Sequence, residues 1–179
     1  MKIRKLILLI FSFVFISCKS DNFYDTERLL ITDKTEYKIG EEFKLTLKIS
    51  TKKLKKEIRI YENYKNLEIS FSLVNENKNV QNENWSKNSR ELSNGTKINE
   101  IEISKGKPFQ KTFTGKVTEF RNEIELNIAE LNLTSKFPKE KLKNGTKIRI
   151  HGFCNPINPE FGASLEEYFE VVEIKINPE

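Results

Sequence analysis

The sequence predicts an all-β fold, an antiparallel β-sandwich of about 7–9 strands behind an N-terminal signal peptide. Hydrophobic residues recur at every second position, as in Phe43, Leu45, Leu47 and Ile49 set against Lys44, Thr46 and Lys48. Strands with one apolar and one wet face belong to antiparallel sheets. No segment sustains a helical stripe, and the only alanines are Ala129 and Ala163, so the strongest helix former is nearly absent. Asn94-Gly95 and Asn144-Gly145, each followed by Thr-Lys-Ile, supply tight-turn chemistry because both residue types tolerate positive φ.

Residues 1–17 precede that fold. Lys2, Arg4 and Lys5 form a basic start, and Leu6 to Ile16 form an apolar run broken only by Ser12. That run is well short of the roughly 20 residues a membrane-spanning helix needs, so it reads as the apolar region of a secretory leader. It closes on Phe15-Ile16-Ser17-Cys18, with a small residue before the cysteine. This box resembles the cleavage and lipidation site of bacterial lipoproteins. The resemblance implies that Cys18 becomes the acylated first residue of the mature chain and that the lipid bilayer is a partner through it. Residues 18–28 are then a flexible tether and residues 29–179 the sandwich domain. Lys19 after the cysteine implies delivery to the outer membrane, on its periplasmic or surface face.

The mature chain has the length of one domain. Loss of Lys2, Arg4 and Lys5 lowers the formal net charge from +5 to +2. Little basic excess remains, and nucleic acid is not an expected partner. With Cys18 carrying lipid, Cys154 has no intramolecular disulfide partner. Burial as a small core hydrophobe is the expectation for it.

The strands follow in order. After Phe43–Ile49, Leu67, Ile69, Phe71 and Leu73 alternate with Glu68, Ser70 and Ser72. Shorter alternations occur at Ile101–Ile103, Phe113–Val117, Ile124–Ile128 and Ile148–Ile150, and the last strand is expected to place Tyr168, Val172, Ile174 and Ile176 on one face. Pro138 to Leu142 suit one helical turn between strands. Residues 75–94, with seven asparagines and Trp85, are too poor in apolar residues to pack alone and read as a polar loop at the membrane-distal tip. Residues 154–164, with Pro156, Pro159 and Gly162, read as a rigid loop.

Tyr37-Lys38-Ile39-Gly40-Glu41, followed by the Phe43–Ile49 strand, resembles the opening of bacterial immunoglobulin-like domains, among them the intracellular proteinase inhibitors of bacilli. Leu142-x-x-Gly145 before Ile148–Ile150 is similar to their penultimate strand, with Lys147 where the family carries a corner tyrosine. The resemblance implies an immunoglobulin-like sandwich. It does not confer a function.

Chemistry-bearing motifs are few. His151 and Cys154 could form a nucleophile–base pair or half a metal site. On a strand, however, residues three apart point to opposite faces. Acidic neighbours such as Glu41-Glu42 and Glu166-Glu167 diverge likewise. No Gly-rich phosphate loop, Gly-x-Ser-x-Gly elbow or calcium loop occurs. The expectation is a protein without cofactor, metal or enzymatic activity. Lys52, Lys53, Lys55 and Lys56 form the densest basic cluster. In an immunoglobulin-like sandwich they lie at the same end as the start of the first strand, hence near the lipid anchor, where anionic head groups attract lysine. Trp85 and Phe161 are candidate partner-binding aromatics. The expected function is a tethered, non-enzymatic binding module for an envelope protein or glycan. The rival reading, suggested by the inhibitor-like opening strand, is an inhibitor or immunity lipoprotein that blocks a proteinase or toxin.

Overall fold

The computed structural model describes residues 26–62, 64, 66–74, 80–85, 97–154 and 167–178, with the backbone alone at 80–85 and 167. Among these residues the chain is almost wholly strand, arranged as a sandwich. One sheet holds, in spatial order, β1 (Thr26–Thr32), β3 (Glu42–Thr51), β8 (Phe109–Phe120), β9 (Glu123–Ile128) and β10 (Leu133–Pro138). The other holds β2 (Glu36–Lys38), β13 (Val172–Asn177), β11 (Ile148–Cys154), β5 (Leu67–Val74) and β6 (Val80–Trp85), with the short β12 (Glu167–Tyr168) beside β11. A separate ribbon pairs β4 (Lys56–Tyr61) with β7 (Ile98–Ile103). One helical turn, α1 (Lys139–Lys143), joins β10 to β11.

The alternation read from the sequence decides which face of each strand is dry. Strand β3 buries Phe43, Leu45, Leu47 and Ile49 and leaves Glu42 and Lys44 in water. Phe113 and Val117 of β8 and Ile124, Leu126 and Ile128 of β9 extend the same face. Ile69 and Phe71, Ile148 and Ile150, and Ile174 and Ile176 meet them from the opposing sheet. Each such side chain withdrawn from water contributes about 1.5–3 kcal/mol. Cys154 joins this core, as expected for it.

The order β13-β11-β5-β6 is that of the G, F, C and C′ strands of an immunoglobulin variable domain, and β1-β3 corresponds to its A and B strands. Where that fold places its E and D strands, this chain builds the meander β8-β9-β10 and crosses to β11 from the outer edge. The sandwich is also not purely antiparallel. Strand β2 runs parallel to β13, pairing Glu36 with Lys175, and Leu29 bridges Glu170 in the same sense. The chain passes between sheets at residues 33–35 without reversing. It therefore runs alongside the final segment and stitches the two layers along one edge.

Tyr37-Lys38-Ile39-Gly40-Glu41 builds that crossing. The buried Tyr37 hydroxyl donates to Asp33 Oδ1 at 2.7 Å and accepts from the Lys34 N–H at 3.0 Å. Asp33 Oδ1 also accepts from the Lys44 N–H at 2.8 Å. Burial raises the Tyr37 hydroxyl to about 12, and the bond to Asp33 adds to it. Burial also pushes the Asp33 carboxyl upward. The N–H of Lys44, the Tyr37 hydroxyl and its own N–H outweigh that and hold it below its ordinary value. Gly40 takes φ +88°, where a side chain would be strained. Glu41 accepts from the Lys38 N–H at 3.0 Å and from Lys34 Nζ at 3.2 Å, which depresses its carboxyl.

Several expectations are corrected. Thirteen strands form among the described residues against the about 7–9 expected, because β4 and β10 also alternate and short segments such as β2 and β12 add to the sheets. Residues 26–28, expected to lie outside the sandwich, belong to β1, with Thr26 paired opposite Thr51. Tyr168 does not share the last strand's buried face. It lies on β12, 64% exposed, while Phe169 turns inward. Asn144-Gly145 does make a turn, but only the glycine takes positive φ. Asn144 keeps φ −79°, and Gly145 at φ +77° ends α1, its N–H donating to Leu142 O at 3.0 Å. Lys147, at the corner-tyrosine position, bonds Glu173 at 3.2 Å instead. Asn94-Gly95 and residues 155–166 lie outside the described residues.

Candidate functional site

The lysine-rich connection after β3 is the feature that the fold most clearly gathers into one place. The register of β1 on β3 sets Thr26 opposite Thr51. The chain from Cys18 therefore enters the domain beside the residue that starts this loop. Thr51 is buried, and its Oγ1 accepts from the Lys53 N–H at 3.1 Å, fixing the departure of the chain from the strand. Beyond it Lys52, Lys53, Leu54 and Lys55 are exposed and Lys56 is half-buried as β4 begins. Leu54 is 89% exposed.

A second lysine turn packs beside the first. The β7–β8 connection closes on itself: the Ser104 N–H donates to Lys107 O at 3.1 Å and the Lys107 N–H to Ser104 O at 2.9 Å. Gly106 there takes φ +86°, the conformation that lets so short a turn form. The Lys105 N–H then donates to Lys53 O at 3.0 Å. Lys105 and Lys107, both exposed, thereby join the cluster of Lys52, Lys53, Lys55 and Lys56. Glu102 of β7 pairs with Lys55, and this bond lowers the Glu102 carboxyl and raises the Lys55 ammonium. Lys52, Lys105 and Lys107 make no ion pair among the described residues. The opposite end of the sandwich is laced instead with pairs such as Lys34–Glu41 and Lys139–Glu119, and Lys147 and Arg149 both meet Glu173.

The other residues singled out by sequence do not converge here. Cys18 and Phe161 lie outside the described residues. Trp85 ends β6, its backbone opposite Ser70 on β5, and its side chain is not described. Residues 75–94 are thus not one loop at the tip, since 80–85 form a strand along the sheet edge. The open edge of β5 accepts any segment whose amides can pair, and asparagine does not prevent it. His151 and Cys154 separate as strand geometry requires. His151 Nε2 lies 3.2 Å from Ser72 Oγ on the outer face, whereas Cys154 Sγ accepts from Asn66 Nδ2 at 3.4 Å inside. Among the described residues no group of three His, Cys, Asp or Glu could hold a metal, and no helix is long and apolar enough to cross a membrane.

Leu54, Lys105 and Lys107 were absent from the sequence reading of this end. Leu54 was visible within its basic run. Nothing local ties residue 105 to residue 53.

No family model and no curated protein matches the chain in sequence. Among solved structures it is similar to the sporulation control protein Spo0M of Bacillus subtilis, at 10% identity and TM-score 0.41, covering 87% of this chain and 50% of that one. It is similar also to the alkylpurine DNA glycosylase AlkC of Pseudomonas fluorescens, at 8% identity and TM-score 0.40, covering 86% of this chain and 30% of that one. A β-glucosidase of Listeria innocua matches at 11% identity and TM-score 0.31, over 84% of this chain and 16% of that one. The chain spans half or less of the length of these proteins. Likeness at this level carries no argument about activity or partner.

Proposed function

We propose that this chain is a cell-envelope lipoprotein, anchored through acylated Cys18, whose sandwich is a non-enzymatic binding module for a protein or glycan partner. The pairing of Thr26 with Thr51 is the observation that supports it most directly. It puts Thr26, eight residues after Cys18, at the end where the lysines cluster, which supports an anchor on the same side as the cationic surface. The crossing built by Asp33 and Tyr37 lies at the other end, turned from the membrane.

Labelling with palmitate tests the anchor. The wild-type chain should take up label and partition into detergent, and Cys18→Ala should do neither. An unlabelled, water-soluble wild type refutes the reading. Binding to envelope polysaccharides without hydrolysis supports the module, whereas stoichiometric inhibition of a proteinase would transfer the reading to an inhibitor.

A further inference from the structure

We propose that the lysine-rich end docks the domain onto an anionic lipid surface, with Leu54 entering the boundary between head groups and acyl chains. Lys52, Lys53, Lys55, Lys56, Lys105 and Lys107 surround it and meet head-group phosphates. This rests on the membrane-anchored reading above and adds a second, non-covalent contact to it.

An isolated exposed leucine is ordinary on a protein surface. The setting of Leu54 is not. Lysines flank it on both sides in sequence, and the bond from the Lys105 N–H to Lys53 O brings the second lysine turn alongside. Two carboxylates on the neighbouring strand ends meet a cation and a third a hydroxyl, against six lysines on the two turns. Glu102 holds Lys55, Glu57 lies 3.8 Å from Arg59, and Glu27 accepts the Ser50 hydroxyl at 3.0 Å. The end therefore presents a cationic excess around one apolar side chain, the composition that binds membrane interfaces. A soluble polyanion would use the lysines and ignore Leu54.

Lipid is the occupant favoured because the surface is continuous with the anchored end. The segment from Cys18 to Thr26 spans at most roughly 26–29 Å when extended. A tether that short keeps the lysine turns at high effective concentration over the bilayer, so individually weak contacts suffice.

The test uses the chain from Lys19 onward, which lacks leader and lipid and retains every described strand and the whole core. It is sedimented with vesicles of phosphatidylglycerol and phosphatidylcholine in equal parts, and with phosphatidylcholine vesicles alone. Binding is expected only to the anionic vesicles. Each of Lys105→Gln and Lys107→Gln should weaken it about fivefold. Leu54→Ser should weaken it about tenfold. These side chains are exposed, so unchanged melting temperatures will show that the variants fold. Equal sedimentation with both vesicle types, or Leu54→Ser binding as tightly as wild type, would overturn the proposal. Palmitate labelling of Cys18 is independent of this readout. A labelled chain whose lysine-rich end ignores anionic vesicles would sink the docking surface and leave the anchor standing, and the reverse result would do the opposite.

Discussion

Gly115 on β8 lies directly across from Phe43 on β3, and the phenyl ring rests over it. A Cβ added at this position would fall within 2.7 Å of Cζ, Cε1 and Cε2 of Phe43. The ring has little room to retreat. Phe43 is 0% exposed and is held edge-on by Tyr37 at 5.9 Å and Phe71 at 6.2 Å between centroids. On backbone grounds alone, alanine should stabilise a strand interior by about 0.5–1 kcal/mol over glycine. Overpacking a closed core costs about 1–3 kcal/mol, and complete loss of the Phe43 contacts would cost about 3–5 kcal/mol. Gly115→Ala is therefore expected to destabilise by about 1–3 kcal/mol, lowering the melting temperature by about 2–10 °C in a domain of this size. Calorimetry on the chain from Lys19, with Phe43→Leu and the double variant alongside, tests the cause. Phe43→Leu leaves space that the alanine methyl can enter, so the double variant should lose less than the sum of the singles. A Gly115→Ala protein that melts at or above wild type, or strict additivity, would refute the steric argument.

The Asp33–Tyr37 corner has a signature at each end of the pH scale. The depressed Asp33 carboxyl contributes stability that is present above the unfolded carboxylate value of about 3.9 and is lost as pH falls through the lower folded value. Asp33→Asn should lower the melting temperature at neutral pH and flatten its acid dependence, and an unaltered acid limb would count against the assignment. The raised Tyr37 hydroxyl contributes below tyrosine's ordinary value of about 10 and is lost toward higher pH, so ultraviolet titration should find one tyrosine ionising only near pH 12. Tyr37→Phe should cost about 1–2 kcal/mol, since it orphans hydrogen bonds at a buried corner. Cys154, buried in the core, should resist a thiol reagent in the native chain from Lys19 and react once denaturant is added; rapid native reaction would show the core open there.

Much of the fold was legible because burial on one face imposes a period of two. Phe43 to Ile49, Phe113 to Val117 and Ile124 to Ile128 carried that period and became β3, β8 and β9. Strand β5 is different: Glu68, Ser70 and Ser72 are buried as well as Leu67, Ile69, Phe71 and Leu73, although their pattern reads as one wet face. Strand β6 carries no apolar period because pairing with β5 asks only for backbone amides.

The glycine that turns the chain at Gly145 and the basic run at 52–56 are properties of neighbouring residues, and sequence alone determined them. Local rules also gave each strand's dry face and kept His151 from Cys154. Which strands lie side by side was another matter. Only the tertiary structure set Thr26 against Thr51, replaced an immunoglobulin E–D pair by a meander, ran β2 parallel to β13 and joined Lys105 to the lysines of the 52–56 loop. Those outcomes depend on contacts between residues distant along the chain. Side-chain period fixes the face a strand buries, but it does not name the neighbour whose amides will pair with it.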